Sequence, residues 1–256
     1  MSFQENIRKK KGKEKIVMLT AYDYQMAKIL DETGIDLILV GDSLGMVIQG
    51  NRDTKSVTVT DMIYHTKAVA KGAKNAVIIG DMPINSCNTA KDSLRNAEHF
   101  LQAGAHGVKI EGNRSEVVRT LLEVGIPVMG HVGMLPQMAE TYRVKGKTPD
   151  EAEEILQDAI ALDRLGVFSI VLECIPEHLA KEITEKVATP TIGIGAGIHC
   201  DGQVLVVNDM LGVDESFKPK FVKRYAHLNK VIRDAVTKFK EEVADGVYPD
   251  REHTYH

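Results

Sequence analysis

The chain has 256 residues, room for one α/β barrel of eight units of about 32 residues each or for two smaller domains. Hydrophobic residues make up 43% and charged residues 27%, enough apolar side chain for a real core and far from the composition of disordered chains. A formal charge of −4, 5% aromatic residues and no Trp argue against a phosphate backbone or stacked bases as ligand, so no nucleic-acid partner is expected.

The basic cluster Arg8 to Lys15 is expected to be a short solvated N-terminal tail. The apolar run behind it, Ile16 to Leu19, is too short for a signal peptide, and no stretch approaches the length of a membrane span, so no membrane partner is expected. Cys87, Cys174 and Cys200 are odd in number and lack CxxC spacing, which indicates neither a disulfide framework nor a thiolate zinc site. A reducing, cytoplasmic setting follows.

In chain order, Ile16 to Thr20, Leu37 to Val40, Val77 to Ile79, Val108 to Ile110, Val128-Met129, Ser169 to Leu172, Thr191 to Ile194 and Gln203 to Val207 read as eight strands. Glycines at 34, 72, 104, 125 and 166 read as helix ends before five of them. Near-continuous apolar strands suit a parallel sheet covered by helices. Thr60 and Thr89 read as helix caps, and Thr148-Pro149-Asp150-Glu151 as a capping box with Pro at the first helical position. Phe221, Tyr225, Leu228, Val231, Val236 and Phe239 predict a long amphipathic C-terminal helix. The alternation predicts a single-domain (β/α)8 TIM barrel spanning residues 1–256, with the basic tail before it. Gly-rich nucleotide loops are missing: Ile198 stands where the stretch from Gly193 would need its last glycine, and Thr141 where a loop ending Gly146-Lys147-Thr148 would need its first.

A barrel carries its active site at the C-terminal ends of its strands, and there the sequence places Asp42, Asp81, Glu111 and Glu173. Alternation puts Ile38, Val40 and Asp42 on one face, Val77, Ile79 and Asp81 on another, and Lys109 with Glu111. A lone Asp after a strand is a turn or cap residue; several acids at successive strand ends are not explained that way. Oxygen donors without a His or Cys pair at ligand spacing favour a hard cation, Mg2+ before Zn2+, with Mn2+ or Co2+ as substitutes. Such a cation can chelate a 2-oxo acid and stabilise the enolate left when the neighbouring carbon loses a proton. Glu173, ending an apolar strand, suits the base, and Lys109 suits the balancing charge. His131 is open between a structural imidazole and a substrate contact. His65 and His106 read as structural. The glycines from Gly193 to Gly197 are open between a phosphate cradle and a tight turn.

These residues stand inside motifs that resemble the ketopantoate hydroxymethyltransferase (3-methyl-2-oxobutanoate hydroxymethyltransferase) family along nearly the whole chain. The shared stretches are Thr20-Ala21-Tyr22-Asp23-Tyr24, Val40-Gly41-Asp42-Ser43-Leu44-Gly45-Met46, Asp61-Met62-Ile63-Tyr64-His65-Thr66 and Val108-Lys109-Ile110-Glu111-Gly112. Pro127 to Gly133, Leu172 to Pro176, Thr191 to Gly197 and Cys200 to Val206 continue them. The resemblance implies a (β/α)8 barrel that transfers a one-carbon unit from 5,10-methylenetetrahydrofolate to 3-methyl-2-oxobutanoate, giving 2-dehydropantoate on the route to pantothenate and coenzyme A. It implies Asp42, Asp81 and Glu111 as the Mg2+ site, Asp42, Ser43, Asp81 and Lys109 as keto-acid contacts, and Glu173 as proton acceptor. His131 is counted with the substrate-binding residues, and a homodecamer or other large homo-oligomer is implied.

The chain departs from the family pattern at Leu135, where a Thr is usual, and at Cys87, where a Tyr is common. The stretch from Met138 to Lys147 is also shorter and lacks paired glycines. None of these is an implied ligand, so the departures bear on folate contacts and on that loop. Two rival readings are a related lyase or mutase barrel acting through the same metal enolate and a catalytically silent ligand-binding barrel. The first lacks its Lys-Lys-Cys-Gly-His-type loop here; the second predicts binding without turnover.

Overall fold

The structure, a computed structural model, describes residues 2–139, 141–216 and 218–256. The chain divides into two compact units, one up to Val206 and one from Val207 to His256. The first contains α1 (Phe3–Lys10), β1 (Ile16–Thr20), α2 (Tyr24–Glu32), β2 (Leu37–Val40), α3 (Leu44–Val47), α4 (Val59–Gly72), β3 (Val77–Asp81) and α5 (Ala90–Gln102). It continues with β4 (Gly107–Glu111), α6 (Ser115–Glu123), β5 (Val128–Gly133), α7 (Pro149–Leu165), β6 (Ser169–Glu173), α8 (Glu177–Lys186), β7 (Thr191–Ile194) and β8 (Gly202–Leu205). The second contains α9 (Val207–Leu211) and α10 (Leu228–Ala244).

Eight parallel strands close in sequence order, with β8 pairing back onto β1, so the first unit is a (β/α)8 barrel. All eight expected strands are present. The strands β3 to β6 run past the apolar runs to include Asp81, Glu111, His131 and Glu173, because ladder pairing continues there: Asp81 lies opposite Lys109, Glu111 opposite His131, and Gly133 opposite Glu173. The last strand stops at Leu205, and Val207 starts α9 instead. No helix among the described residues is long and apolar enough to cross a membrane.

Inside the barrel, Met18, Leu37, Leu39, Ile79, Met129, Val171, Ile192 and Val204 form one buried cluster. With side chains alternating along each strand, Asp81, His131 and Glu173 lie two residues beyond the interior Ile79, Met129 and Val171 and share their face. On β2 the interior residues are Leu37 and Leu39. Ile38 and Val40 therefore face the helices, contrary to the expected Ile38–Val40–Asp42 face, and Asp42 reaches the mouth from the turn after the strand.

The basic N-terminal segment is not a solvated tail. Ser2 and Glu5 cap α1 reciprocally, Ile7 is buried, and Phe3 packs edge-on against Phe168 at 5.4 Å between ring centres. The helix plugs the N-terminal end of the barrel, where carbonyls and carboxylates before the strands draw the cations in. Arg8 donates to the Val167 carbonyl at 2.6 Å, Lys10 to Asp36 at 2.6 Å, and Lys11 to Asp201 at 2.9 Å.

Local signals explain most helix boundaries. Thr58, not Thr60, caps α4, because Asp61 three residues on completes the box with it. Thr89 caps α5 as expected. Thr148 caps α7 through the Glu151 N–H, but the Glu151 carboxylate takes the Gly146 N–H and Arg143 instead of closing a box. Gly72 does not end a helix in a left-handed turn. It lets α4 lie directly on the backbone of α2: a Cβ there would lie 2.3 Å from the Tyr24 carbonyl oxygen. In the second unit, α10 carries Val231, Val236 and Phe239 exposed, with Phe239 edge-on to Tyr248 at 5.3 Å.

Candidate active site

At the C-terminal mouth the expected residues form a chain of contacts that follows the strand order. The Asp42 N–H donates to Asp81 Oδ2 at 3.3 Å, and Lys109 Nζ donates to both Asp81 oxygens at 2.8 Å. Lys109 Nζ lies 3.7 Å from Glu111 Oε1, His131 Nδ1 3.5 Å from that oxygen, and His131 Nε2 3.3 Å from Glu173 Oε2. Asp42, Asp81, Lys109, Glu111 and His131 are 5%, 1%, 4%, 6% and 0% exposed, so every charge acts with little solvent screening. The remaining expected residue, Ser43, turns its hydroxyl to the Tyr22 hydroxyl at 2.8 Å.

The electrostatics of this row are unbalanced. Burial, and then the neighbouring Asp81, raise the Asp42 carboxyl well above the usual carboxylate range. Burial also raises Asp81 against the pull of Lys109, while Lys109 itself is held above its ordinary value because Asp81, Glu111 and Asp42 outweigh the cost of burying it. The two directions differ because three acids crowd one ammonium. With both Asp81 oxygens on Lys109, that pair is the charged one, and Asp42 is the acid without a cation. Burial would raise Glu111, and Lys109 and His131 outweigh it, leaving its carboxyl low. Burial and Lys109 oppose a charge on His131, but Glu111 and Glu173 on its two sides hold it up to about 9. Neither ring nitrogen has a well-aligned hydrogen bond, and Glu111 Oε1 has no donor.

Among the described residues, no three His, Cys, Asp or Glu side chains converge closely enough to enclose a metal ion. The donor set nevertheless suits Mg2+, which takes one or two protein carboxylates and completes its shell with water and substrate oxygens. The carboxylates of the row offer oxygen ligands, buried acids that outnumber the buried cations, and the orphaned Glu111 Oε1.

In the loop from β5 to α7, which sequence reasoning connected only with folate contacts, it missed Gln137 and Tyr142. Gln137, only 6% exposed, donates its side-chain N–H groups to Asp42 Oδ2 and the Met82 carbonyl, each at 3.0 Å, and its backbone N–H to Glu111 Oε2 at 3.2 Å. Tyr142 faces the same mouth, its hydroxyl 3.9 Å from Met46 Sδ; burial first, then Asp42, Asp53, Glu173 and Glu111, push it up to about 12. Glu140, within the shortened stretch, lies outside the described residues. A cavity of about 240 Å3 adjoins the ends of β4 and β5, lined by Gly112, Gly133, Leu135, Met138, Lys145 and Ile155 among others. No short-range pattern marks these residues; only the fold brings a loop over three strand ends.

The remaining candidates are structural. His65 Nδ1 lies 2.6 Å from the Tyr22 carbonyl, and His106 Nδ1 accepts the Ile78 N–H at 2.9 Å. Gly195 and Gly197 have left-handed backbone, and Glu177 packs directly on Gly197, placing a carboxylate where a phosphate would be repelled. The turn reading accounts for these glycines.

Comparison with known proteins places this geometry. The family model described as ketopantoate hydroxymethyltransferase matches residues 2–251. A protein of Syntrophus aciditrophicus named 3-methyl-2-oxobutanoate hydroxymethyltransferase is 53% identical over 96% of this chain and 93% of its own. One of the same name from Syntrophomonas wolfei is 50% identical over 96% and 92%. Among solved structures, a phosphonopyruvate hydrolase aligns over 100% of this chain and 92% of its own with a TM-score of 0.66 at 12% identity. A 2,3-dimethylmalate lyase aligns over 99% and 92% with a TM-score of 0.63 at 14% identity, and at such identities the likeness is one of fold. The strand-end acids, the closed barrel and relatives at half identity lead to one conclusion: the chain belongs to the ketopantoate hydroxymethyltransferase family.

Proposed function

We propose that the chain transfers a hydroxymethyl group from 5,10-methylenetetrahydrofolate to 3-methyl-2-oxobutanoate, forming 2-dehydropantoate for pantothenate and coenzyme A synthesis. The observation that carries this reading is the unbroken row of contacts from Asp42 to Glu173 at the barrel mouth, in a chain whose relatives are named for that reaction. Asp42, Asp81 and Glu111 would hold Mg2+, or Mn2+ or Co2+ in its place. When bound, the cation supplies a Lewis acid for the oxygens of a 2-oxo acid.

The chain's own groups divide the rest of the work. Asp42, Ser43, Asp81 and Lys109 bind the keto acid. Lys109, kept protonated by the acids around it, offsets the negative charge that proton removal leaves on the substrate oxygen. Glu173 accepts the C3 proton, the role its place at the end of β6 and its 16% exposed side chain support. His131, lying between Glu111 and Glu173, places a positive charge beside both carboxylates. The cavity beside β4 and β5 is the room the folate donor's ring would use, and Leu135, a departure from the family pattern, is on its wall.

The test is turnover of 3-methyl-2-oxobutanoate with and without methylenetetrahydrofolate. A folate-dependent product is expected. Bond cleavage without the donor favours the lyase reading, and binding with no chemistry favours the silent barrel.

A further inference from the structure

We propose that Gln137 is a positioning residue that sets the carboxylates of the barrel mouth from the loop after β5, an inference that rests on the cation-dependent reading above. It follows from a juxtaposition no pairwise contact shows. One residue reaches the ends of three strands: Asp42 after β2, the Met82 carbonyl after β3 and Glu111 at the end of β4. Both partners of its side chain are acceptors, so the carboxamide can be oriented only with its N–H groups toward them.

Each carboxylate is gripped by one oxygen. Gln137 takes Asp42 Oδ2 through its side chain at 3.0 Å and Glu111 Oε2 through its backbone at 3.2 Å. The other Glu111 oxygen, Oε1, is buried and has no hydrogen-bond donor. A carboxylate pinned at one oxygen presents the other at a fixed angle, and hydrogen-bonding partners of ligand carboxylates typically control metal affinity by about 10- to 100-fold. Gln137 donates to Asp42, the acid that lacks a cation of its own, and so holds that side chain without neutralising it. The loop thereby becomes part of the site: through Gln137 the segment from Met134 to Ala139 holds Asp42 and Glu111.

The experiment is calorimetric titration of the full-length chain with Mg2+ alone, without keto acid or folate. Wild type is compared with Gln137→Met, which keeps the bulk and loses the side-chain donors, and with Gln137→Ala, which loses both bulk and side-chain donors; each keeps the backbone N–H toward Glu111. Thermal unfolding in chelator identifies the variants that fold like wild type. The expected result is a Kd for Mg2+ weakened about 10- to 100-fold in the folded variants, with an unchanged midpoint in chelator. A Kd within twofold of wild type in either folded variant, or loss of folding in both, overturns the positioning role. Wild-type turnover separates this failure from a deeper one: activity with an unaltered variant Kd removes Gln137 alone. A wild type that neither binds Mg2+ nor turns over removes the reading beneath it.

Discussion

At the scale of single residues, the mouth of the barrel places Asp42, Asp81 and Glu111 around Lys109 and closes the row with His131 against Glu173. Buried charges are tolerated only when paired, so removing the shared cation alone has a large effect. Lys109→Met is expected to cost roughly 3–5 kcal/mol in urea unfolding at pH 7 without metal. A loss below about 1 kcal/mol would show that the acids do not depend on it. Asp81, Lys109, Glu111, His131 and Glu173 were legible in the sequence because alternation along a strand needs only neighbouring residues. Asp42 was found for the wrong reason: Leu37 and Leu39 hold the interior of β2, and a turn rather than the strand delivers the carboxylate. Gln137 was not legible, since its partners lie 26, 55 and 95 positions away.

At the scale of elements, the connections are held by polar caps whose strength depends on pH. Asp31, near the end of α2, accepts the Asn75 N–H at 2.8 Å and the Ala76 N–H at 2.7 Å, fixing the link from α4 into β3. Burial alone would raise its carboxyl; the backbone N–H groups of Ala76, Asn75 and Lys74, with the Asn75 side chain, outweigh it and lower it below the usual value. The stabilisation is therefore complete above the unfolded value of about 3.9 and is lost as pH falls through the lower folded value. Asp31→Asn is expected to lose about 1–2 kcal/mol at pH 7, with the difference from wild type shrinking below about pH 3 in urea midpoints. An equal loss at both pH values would contradict the assignment. The Asp31 contacts were not legible because Asn75 and Ala76 lie 44 and 45 positions away, whereas the local cap at Thr89 was; at α4 the sequence pointed to Thr60, and the structure uses Thr58, whose box Asp61 completes.

At the scale of the whole chain, the repeat of strand and helix was legible because continuous apolar runs and helix-ending glycines recur, and that repeat puts every strand end on one side. The plug at the opposite end was not. A basic segment reads as solvated until Val167, Asp36 and Asp201, far apart in sequence, are gathered beneath the strands. Net buried negative charge at the mouth means that a divalent cation binding only the folded state stabilises it, by about 2.7 kcal/mol at a hundred times its Kd. Added Mg2+ should raise the thermal midpoint of wild type and leave Asp42→Asn nearly unmoved; equal shifts would reject Asp42 as a ligand.

In the proposed reaction Glu173 removes the C3 proton of the keto acid before any carbon is transferred. Proton NMR of 3-methyl-2-oxobutanoate in deuterated water, without folate, tests it directly. The expected result is C3 exchange that stops with chelator and falls about 10²- to 10⁴-fold in Glu173→Gln. Exchange at the full rate in that variant, or exchange indifferent to metal removal, would contradict it.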